Sequence, residues 1–284
     1  MSAQVVLYDV PGPRARRRVL IGSLVGLLLL GALLALLLRR FADNGQLEPE
    51  VYRPFLEQPL FWERLGDGLR NTLKAAAYGL VLALVLGFVL AAGRLSQSVL
   101  LRVPATVVVE FFRATPLLLL ILAIFLAYPI LVGSSIDPLW ALVAGLTLYN
   151  GAVIAEIVRA GVQALPKGQT EAALAVGLSR GQTLRVVLLP QAVRIMLPAL
   201  VSQLVVLLKD TSLGFIIAYE ELLRTSRFLV EAPEFSRSSL QVFLVIAVIY
   251  VVINLLLGRL AAYLEGRQRK QFGGGTPQVE TTTL

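Results

Sequence analysis

Apolar positions in this chain come in long unbroken runs rather than in alternation or in helical stripes. Residues 19–38 carry no charge over 20 positions, which is about 30 Å as an α-helix and matches the hydrocarbon core of a bilayer. Further uncharged runs cover residues 75–93, 114–136, 138–155 and 238–258. One more is interrupted. Residues 195–208 are uncharged, Lys209-Asp210 breaks the run, and residues 213–219 are apolar again. Its first part is too short to cross, but 195–219 taken whole is long enough. The pattern predicts six transmembrane helices in an all-α membrane protein.

The polar segments between the runs orient them. Sixteen of the 26 Lys and Arg residues fall on one side if the N-terminus is cytoplasmic: Arg14, Arg16, Arg17, Arg18, Arg94, Arg102, Arg113, Arg159, Lys167, Arg180, Arg185, Arg194, Arg259, Arg267, Arg269 and Lys270. The other side then holds nine, and Lys209 lies within a run. The excess of basic residues places both termini in the cytoplasm. A basic tail then covers 1–18, the first helix 19–38 and an external segment 39–66. Within that segment Phe55, Leu56, Leu60, Phe61 and Trp62 suggest a short interfacial helix. A signal peptide competes for the first run. It needs a shorter apolar region followed by small residues, whereas Arg39-Arg40 follows here, so we read a retained anchor. Gly22 and Gly26 form a GxxxG, a weak helix-packing signal. The last residues, 263–284, read as a cytoplasmic tail, Gly/Thr-rich from 273 and disordered by composition.

Composition narrows the chemistry. The chain is 57% hydrophobic and 15% charged, with a mean hydropathy of +0.77. It has no Cys and no His. Disulfides, thiolate and imidazole metal sites, and His-dependent catalytic triads are therefore excluded. No GxxxxGK[ST] phosphate loop is present, so ATP hydrolysis by this chain is not expected. Neither cofactor nor nucleic acid is expected; the net charge of +8 reflects membrane topology.

Charges within or beside a run are the candidate chemistry, because a buried charge in lipid is costly. Lys209 lies about 21 Å along a helix begun at residue 195, inside the bilayer. Lys209-Asp210 reads either as a neutralising pair that ends a helix, or as a place where Asp210, Thr211 and Ser212 meet a solute. Glu156 and Arg159, three apart, share a helix face and can pair. They fall about 27 Å along their helix, near the cytoplasmic interface, where a structural pair or a gate is expected. Glu110 and Arg113 allow the same reading. Asn71, Thr72, Gln203 and Asn254 are expected to make helix–helix hydrogen bonds.

The segment between the fourth and fifth runs differs from a plain loop. Residues 169–179 read as a short helix, with Glu171 near its start where a carboxylate suits the dipole. Ala172 and Ala173 give a small, smooth surface, and Gly177 permits a close turn. Gly181 and Pro190 are expected to break the path before the chain re-enters the membrane.

Four motifs in order carry a resemblance. Glu171-Ala172-Ala173, then Gly177, then Leu189-Pro190 resembles the EAA motif of ABC importer permeases. Phe112-Arg113-Ala114-Thr115-Pro116-Leu117 is similar to that family's F-R-G-T-P-L, with Ala114 in place of Gly. Residues 149–169 resemble its Y-x-A-E-I-x-R-x-G stretch, with Gly151 as a departure, and residues 209–213 match K-D-T-S-L. Together they resemble the permease subunits of polar amino acid ABC importers, of the histidine/glutamine/glutamate type, over residues 67–262. The resemblance implies a type I five-helix permease core preceded here by one extra helix. It implies a segment at 160–190 that couples to two ATPase subunits through Glu171, Ala172, Ala173 and Gly177. It also implies a second permease subunit, identical or not, and an extracytoplasmic amino-acid-binding protein. ATP-driven closure of the ATPases would switch the helices between inward-open and outward-open states. Glutamate or glutamine is the expected substrate, then basic amino acids, at a bacterial cytoplasmic membrane. The alternative is an ion-coupled secondary transporter or channel that uses Lys209-Asp210 and needs no ATPase. A membrane scaffold and a membrane enzyme fit less of the pattern.

Overall fold

A computed structural model describes residues 12–272. The chain divides into two units, residues 1–57 and 58–284. In the first, α1 (Pro13–Asp43) is a continuous helix that buries none of its residues. Gly22 and Gly26 have open space around them. The helix begins inside the stretch read as a basic tail and takes in Arg14, Arg16, Arg17 and Arg18, because Pro13 at its first turn presets the helical φ. After it comes α2 (Pro49–Glu57).

The second unit holds α3 (Pro59–Arg94), α4 (Val99–Ala114), α5 (Leu117–Val132), α6 (Pro138–Gln163), α7 (Lys167–Ala175), α8 (Arg180–Gln182), α9 (Leu189–Asp210), α10 (Leu222–Glu231) and α11 (Ser239–Phe272). Among the described residues, five helices or helical runs, α1 included, are long and apolar enough to cross a membrane. α4 and α5, which meet at 100° across Thr115-Pro116, reach that length only when taken together, as a broken span or a re-entrant turn. The run expected at 114–136 is therefore shorter than a straight span. Pro116 cannot continue α4 and Gly133, at φ +78, ends α5.

Several expectations are corrected. The segment 39–66 is not one external loop with one interfacial helix. Phe55 and Leu56 lie on α2, whereas Leu60, Phe61 and Trp62 open α3, and Phe61 is fully buried against Phe235. Residues 263–272 are helical, at the end of α11, so the tail is shorter than predicted; residues 273–284 lie outside the described residues.

The core is built on α3 and α6. The buried residues of α3 include Gly68, Thr72, Ala75, Ala76, Gly79, Ala83, Gly87 and Ala91, spaced three or four apart on one stripe. Small residues let helix backbones approach closely where lipid offers no hydrophobic drive. A Cβ at Gly87 would stand 2.5 Å from Ile154 Cγ2 and 3.0 Å from the Gly151 carbonyl of α6. One at Gly79 would stand 3.3 Å from Leu146 Cβ, and one at Gly145 would stand 2.5 Å from Ile121 Cγ1 on α5. Across α6 and α9, Gln203 Nε2 donates to Asn150 Oδ1 at 2.7 Å. This is the interhelical hydrogen bond expected of Gln203. Asn254 instead donates to the Tyr250 carbonyl of its own helix at 2.7 Å.

Candidate coupling and translocation site

The segment after α6 is fixed by its own local chemistry. Pro166 precedes α7 and presets its entry. The helix starts at Lys167, two residues earlier than expected, so Glu171 sits in the second turn rather than at the start. It ends at Ala175 in a Schellman closure. Leu178 N donates to the Ala173 carbonyl at 3.2 Å and Gly177 N donates to the Leu174 carbonyl at 3.0 Å. Gly177 has φ +86, and open space surrounds the position of a Cβ. Ala173 is buried, while Glu171 and Ala172 are exposed. Among the described residues Glu171 has no hydrogen-bond or ion-pair partner.

The path beyond α7 does not break where expected. Ser179 caps α8 in a reciprocal capping box: its Oγ accepts from Gln182 N at 3.3 Å, and Gln182 Oε1 accepts from Ser179 N at 2.8 Å. The chain then passes through a π-helical turn at Thr183–Leu188 directly into α9. Gly181 lies inside α8, and Pro190 lies in the first turn of α9. Proline lacks an N–H and crowds the preceding turn; the wider π turn before it, where Leu189 N reaches back to the Leu184 carbonyl, absorbs this without ending the helix.

At one end of α6 a charged cluster joins three helices. Glu156 Oε2 accepts from Arg159 Nε at 3.0 Å, and Glu156 Oε1 also contacts Arg159 Nη2. The predicted Glu156–Arg159 pair is therefore formed. Its centre, however, is Arg94, at the end of α3, which sequence reasoning treated only as a topology signal. Arg94 Nη1 donates to Glu156 Oε2 at 2.7 Å and Nη2 donates to Glu110 Oε1 at 3.1 Å. Its side chain is 9% exposed. Arg113 stands further off, 3.7 Å from Glu110 and 3.9 Å from Glu156. Three guanidiniums and two carboxylates thus tie α3, α4 and α6 together.

At the far end of α9, Lys209 and Asp210 are the last two residues of the helix, followed by a 3₁₀ segment, Thr211–Ile217. The pair does end a helix, but its two side chains form no ion pair. Lys209 is exposed and Asp210 is partly buried. Thr211 is buried and donates to the Leu208 carbonyl at 2.6 Å, and Ser212 donates to the Lys209 carbonyl at 2.8 Å. A groove of about 790 Å³ between α9 and α11 is lined by Lys209, Ser212, Tyr250 and Asn254 among aliphatic residues; Asp210 and Thr211 do not line it.

A second group escaped the sequence reading. Glu221 caps α10 and is fully buried. Its carboxylate accepts from Leu223 N and Arg224 N, each at 2.7 Å, and from Tyr250 Oη at 2.8 Å. The adjoining residues close onto α3: Asn71 Nδ2 donates to the Glu220 carbonyl at 2.8 Å, and Leu222 N donates to Thr72 Oγ1 at 3.0 Å. Burial pushes the Glu221 carboxyl up to about 7, against the three donors, which pull it down. A carboxyl raised in the folded state contributes most stability below its unfolded value near 4.5, and that contribution is lost as pH rises through 7. Glu221→Gln should therefore flatten the fall in thermal stability between pH 5 and 8, by up to about 3 kcal/mol. Melting curves of both forms across that range check it; parallel curves would remove Glu221 from the titration.

Comparisons with known proteins show the family of the chain. Residues 83–270 match the family model for the binding-protein-dependent transport system inner membrane component. The glutamate transport system permease protein GluD of Corynebacterium glutamicum is 42% identical over 84% of this chain and 88% of its own. The probable glutamine ABC transporter permease protein GlnP of Bacillus subtilis is 36% identical over 72% of this chain and 93% of its own. In three dimensions, the crystal structure of an amino acid ABC transporter with histidines superposes with a TM-score of 0.69 at 30% identity, covering 75% of this chain and 98% of that one. With its multiple apolar helices and its exposed segment between α6 and α9, this chain belongs to the family of binding-protein-dependent transport system inner membrane components, the multi-pass permease subunits of ABC importers.

Proposed function

We propose that this protein is the translocation subunit of an ATP-driven importer of polar amino acids in a bacterial cytoplasmic membrane, with glutamate or glutamine as the first candidates and basic amino acids next. The observation that carries the mechanism is α7, an exposed short helix whose far end is locked by the Gly177 turn and which continues through α8 and the π turn into α9. Glu171, Ala172, Ala173 and Gly177 form the contact for an ATPase subunit. ATP hydrolysis belongs to that separate subunit. Two ATPases, a second permease, identical or sibling, and an extracytoplasmic binding protein complete the assembly. Both termini and residues 160–190 face the cytoplasm, and residues 67–262 form the core to which the first helix is added.

A push on α7 passes along α9 to Lys209 and Asp210, about 30 Å away along the helix. Asp210, Thr211 and Ser212 flank the solute path in this reading, with Ser212 at its wall and the buried Thr211 holding the turn. Lys209 joins them, since it lines the groove between α9 and α11. Lys209 stands as a cation available to a carboxylate. The Arg94–Glu110–Arg113–Glu156–Arg159 cluster holds the inner ends of the helices together as a structural latch or gate. ATP drives the cycle only through its different affinity for the two states.

Reconstitution into liposomes tests the proposal. With its ATPase, its partner permease and binding protein present, internal ATP should support uptake of glutamate or glutamine. Without the ATPase, uptake should fall to the level of empty liposomes. Uptake by this chain alone, driven by an ion gradient, would overturn the reading.

A further inference from the structure

An open groove of about 1090 Å³ lies between the end of α3, α4 and the segment from α7 to the π turn. Val89, Leu101, Val108, Leu184 and Leu188 are among the apolar residues that wall it. Among the described residues, the charged side chains that line it are Arg180 and Arg185, and no carboxylate does. Arg180 Nη1 donates to Gln97 Oε1 at 2.9 Å, which holds that guanidinium over the loop between α3 and α4. Arg185 is exposed on the π turn. The groove thus has an aliphatic floor and a cationic rim.

Its third wall bears on where it opens. Because α4 meets α5 at 100°, it runs near the membrane plane if α5 crosses the bilayer. Its composition suits that position: Ala105 and Val109 are buried, while Leu100, Leu101, Val103 and Val107 are exposed around Arg102. Helices of this kind lie at the boundary of headgroups and acyl chains. Water filling the groove would leave the aliphatic wall hydrated. A small anion would use the two arginines and leave that wall uncovered.

We propose that this groove binds one anionic phospholipid, with an acyl chain along α3 and α4 and the phosphate between Arg180 and Arg185. The proposal rests on the reading of residues 160–190 as the cytoplasmic coupling segment, and it names a regulator for that segment. The lipid bridges the α3–α4 loop and the root of α9, so the charge of the inner leaflet sets how firmly the segment is held. A zwitterionic lipid fits the floor but gains no net attraction at the rim.

The test is fluorescence quenching by brominated lipid, on the whole transporter in nanodiscs without ATP. A single probe, Val108→Trp, is placed in the groove after Trp62→Phe and Trp140→Phe. Brominated phosphatidylglycerol should quench it at lower mole fraction than brominated phosphatidylcholine. Arg180→Gln with Arg185→Gln should erase that preference, with a loss of about fivefold per guanidinium. Inorganic phosphate should not relieve the quenching. Equal quenching by both lipids, a preference that survives the double substitution, relief by phosphate, or a probe covered by a neighbouring chain would each overturn the proposal. If the probe variant does not assemble, native mass spectrometry of the unmodified complex from mixed membranes decides, and equal retention of both lipids counts against it. Because the readings need no ATP turnover, a failure of the coupling assignment leaves them unchanged.

Discussion

Gly177→Val lowers ATP-driven uptake by about five- to thirtyfold while the permease still inserts and assembles, whereas Gly177→Asn retains most of the activity. The contrast follows from the Schellman closure. Residue 177 must hold φ +86. A β-branched residue resists the left-handed region at about 1–2 kcal/mol or more, while Asn enters it routinely. Nothing lies within 4 Å of the added Cβ, so neither residue clashes and the fold is spared. What changes is the direction in which Leu178 and Ser179 leave α7. A penalty of about 1–2 kcal/mol on reaching that geometry corresponds to about a five- to thirtyfold loss in rate. Glu171→Lys complements it, because Glu171 is exposed and has no partner among the described residues. Its reversal costs the fold little, and any loss of coupling reports contact with another subunit. Uptake and ATPase stimulation in liposomes measure both. Equal rates for wild type, Val and Lys forms would show that this segment is not the contact.

The second large effect is on assembly. Arg94→Ala should destabilise the permease by about 1.5–3 kcal/mol, the loss of a charge-assisted hydrogen bond, since Glu156 keeps its bonds to Arg159. The arm to Glu110 is discounted, since that carboxylate is 56% exposed and solvent screens it. The arm to Glu156, at 2.7 Å between side chains 9% and 23% exposed, dominates. Arg113, nearly 4 Å away, is too distant to replace it. Arg94→Lys keeps the charge but not the fork that reaches two acids, and an intermediate melting temperature is expected. Arg102→Ala, an exposed neighbour, serves as the control. Melting of the detergent-solubilised protein and the assembled fraction by size exclusion check the series. An unchanged melting temperature for Arg94→Ala would reduce the cluster to a surface feature.

Hydrophobic runs reported where lipid is, and not where helices begin. The run at 75–93 became a helix starting at Pro59, because Glu63, Arg64, Asp67, Arg70 and Lys74 are helical but lie outside any uncharged window. In the opposite direction, α5 is shorter than its run, since Pro116 and Gly133 act on the backbone and not on hydropathy. The pairing of Glu156 with Arg159 was legible because it is local, at a spacing of three. Arg94 was not, since its carboxylates are 16 and 62 residues away. Glu221 was missed for two reasons. Glutamate is an uncommon cap, and its tyrosine partner arrives from a helix 29 residues on. The hydroxyls of Thr211 and Ser212 suggested a polar lining, but both turn back on carbonyls three residues earlier, those of Leu208 and Lys209, a local competition that spacing does not reveal.

The glycine and alanine stripe on α3 also limits which parts can travel. With the Gly151 carbonyl only 3.0 Å from where a side chain at 87 would begin, α3 and α6 interlock backbone to backbone. The side chains that fill the seam, Leu86, Leu146 and Ile154, each sit against a glycine of the other helix. Sliding one past the other would drive atoms into each other at every turn. The pair therefore serves as the chassis of the molecule. In any rearrangement of the helices, α3 and α6 are expected to travel as one body.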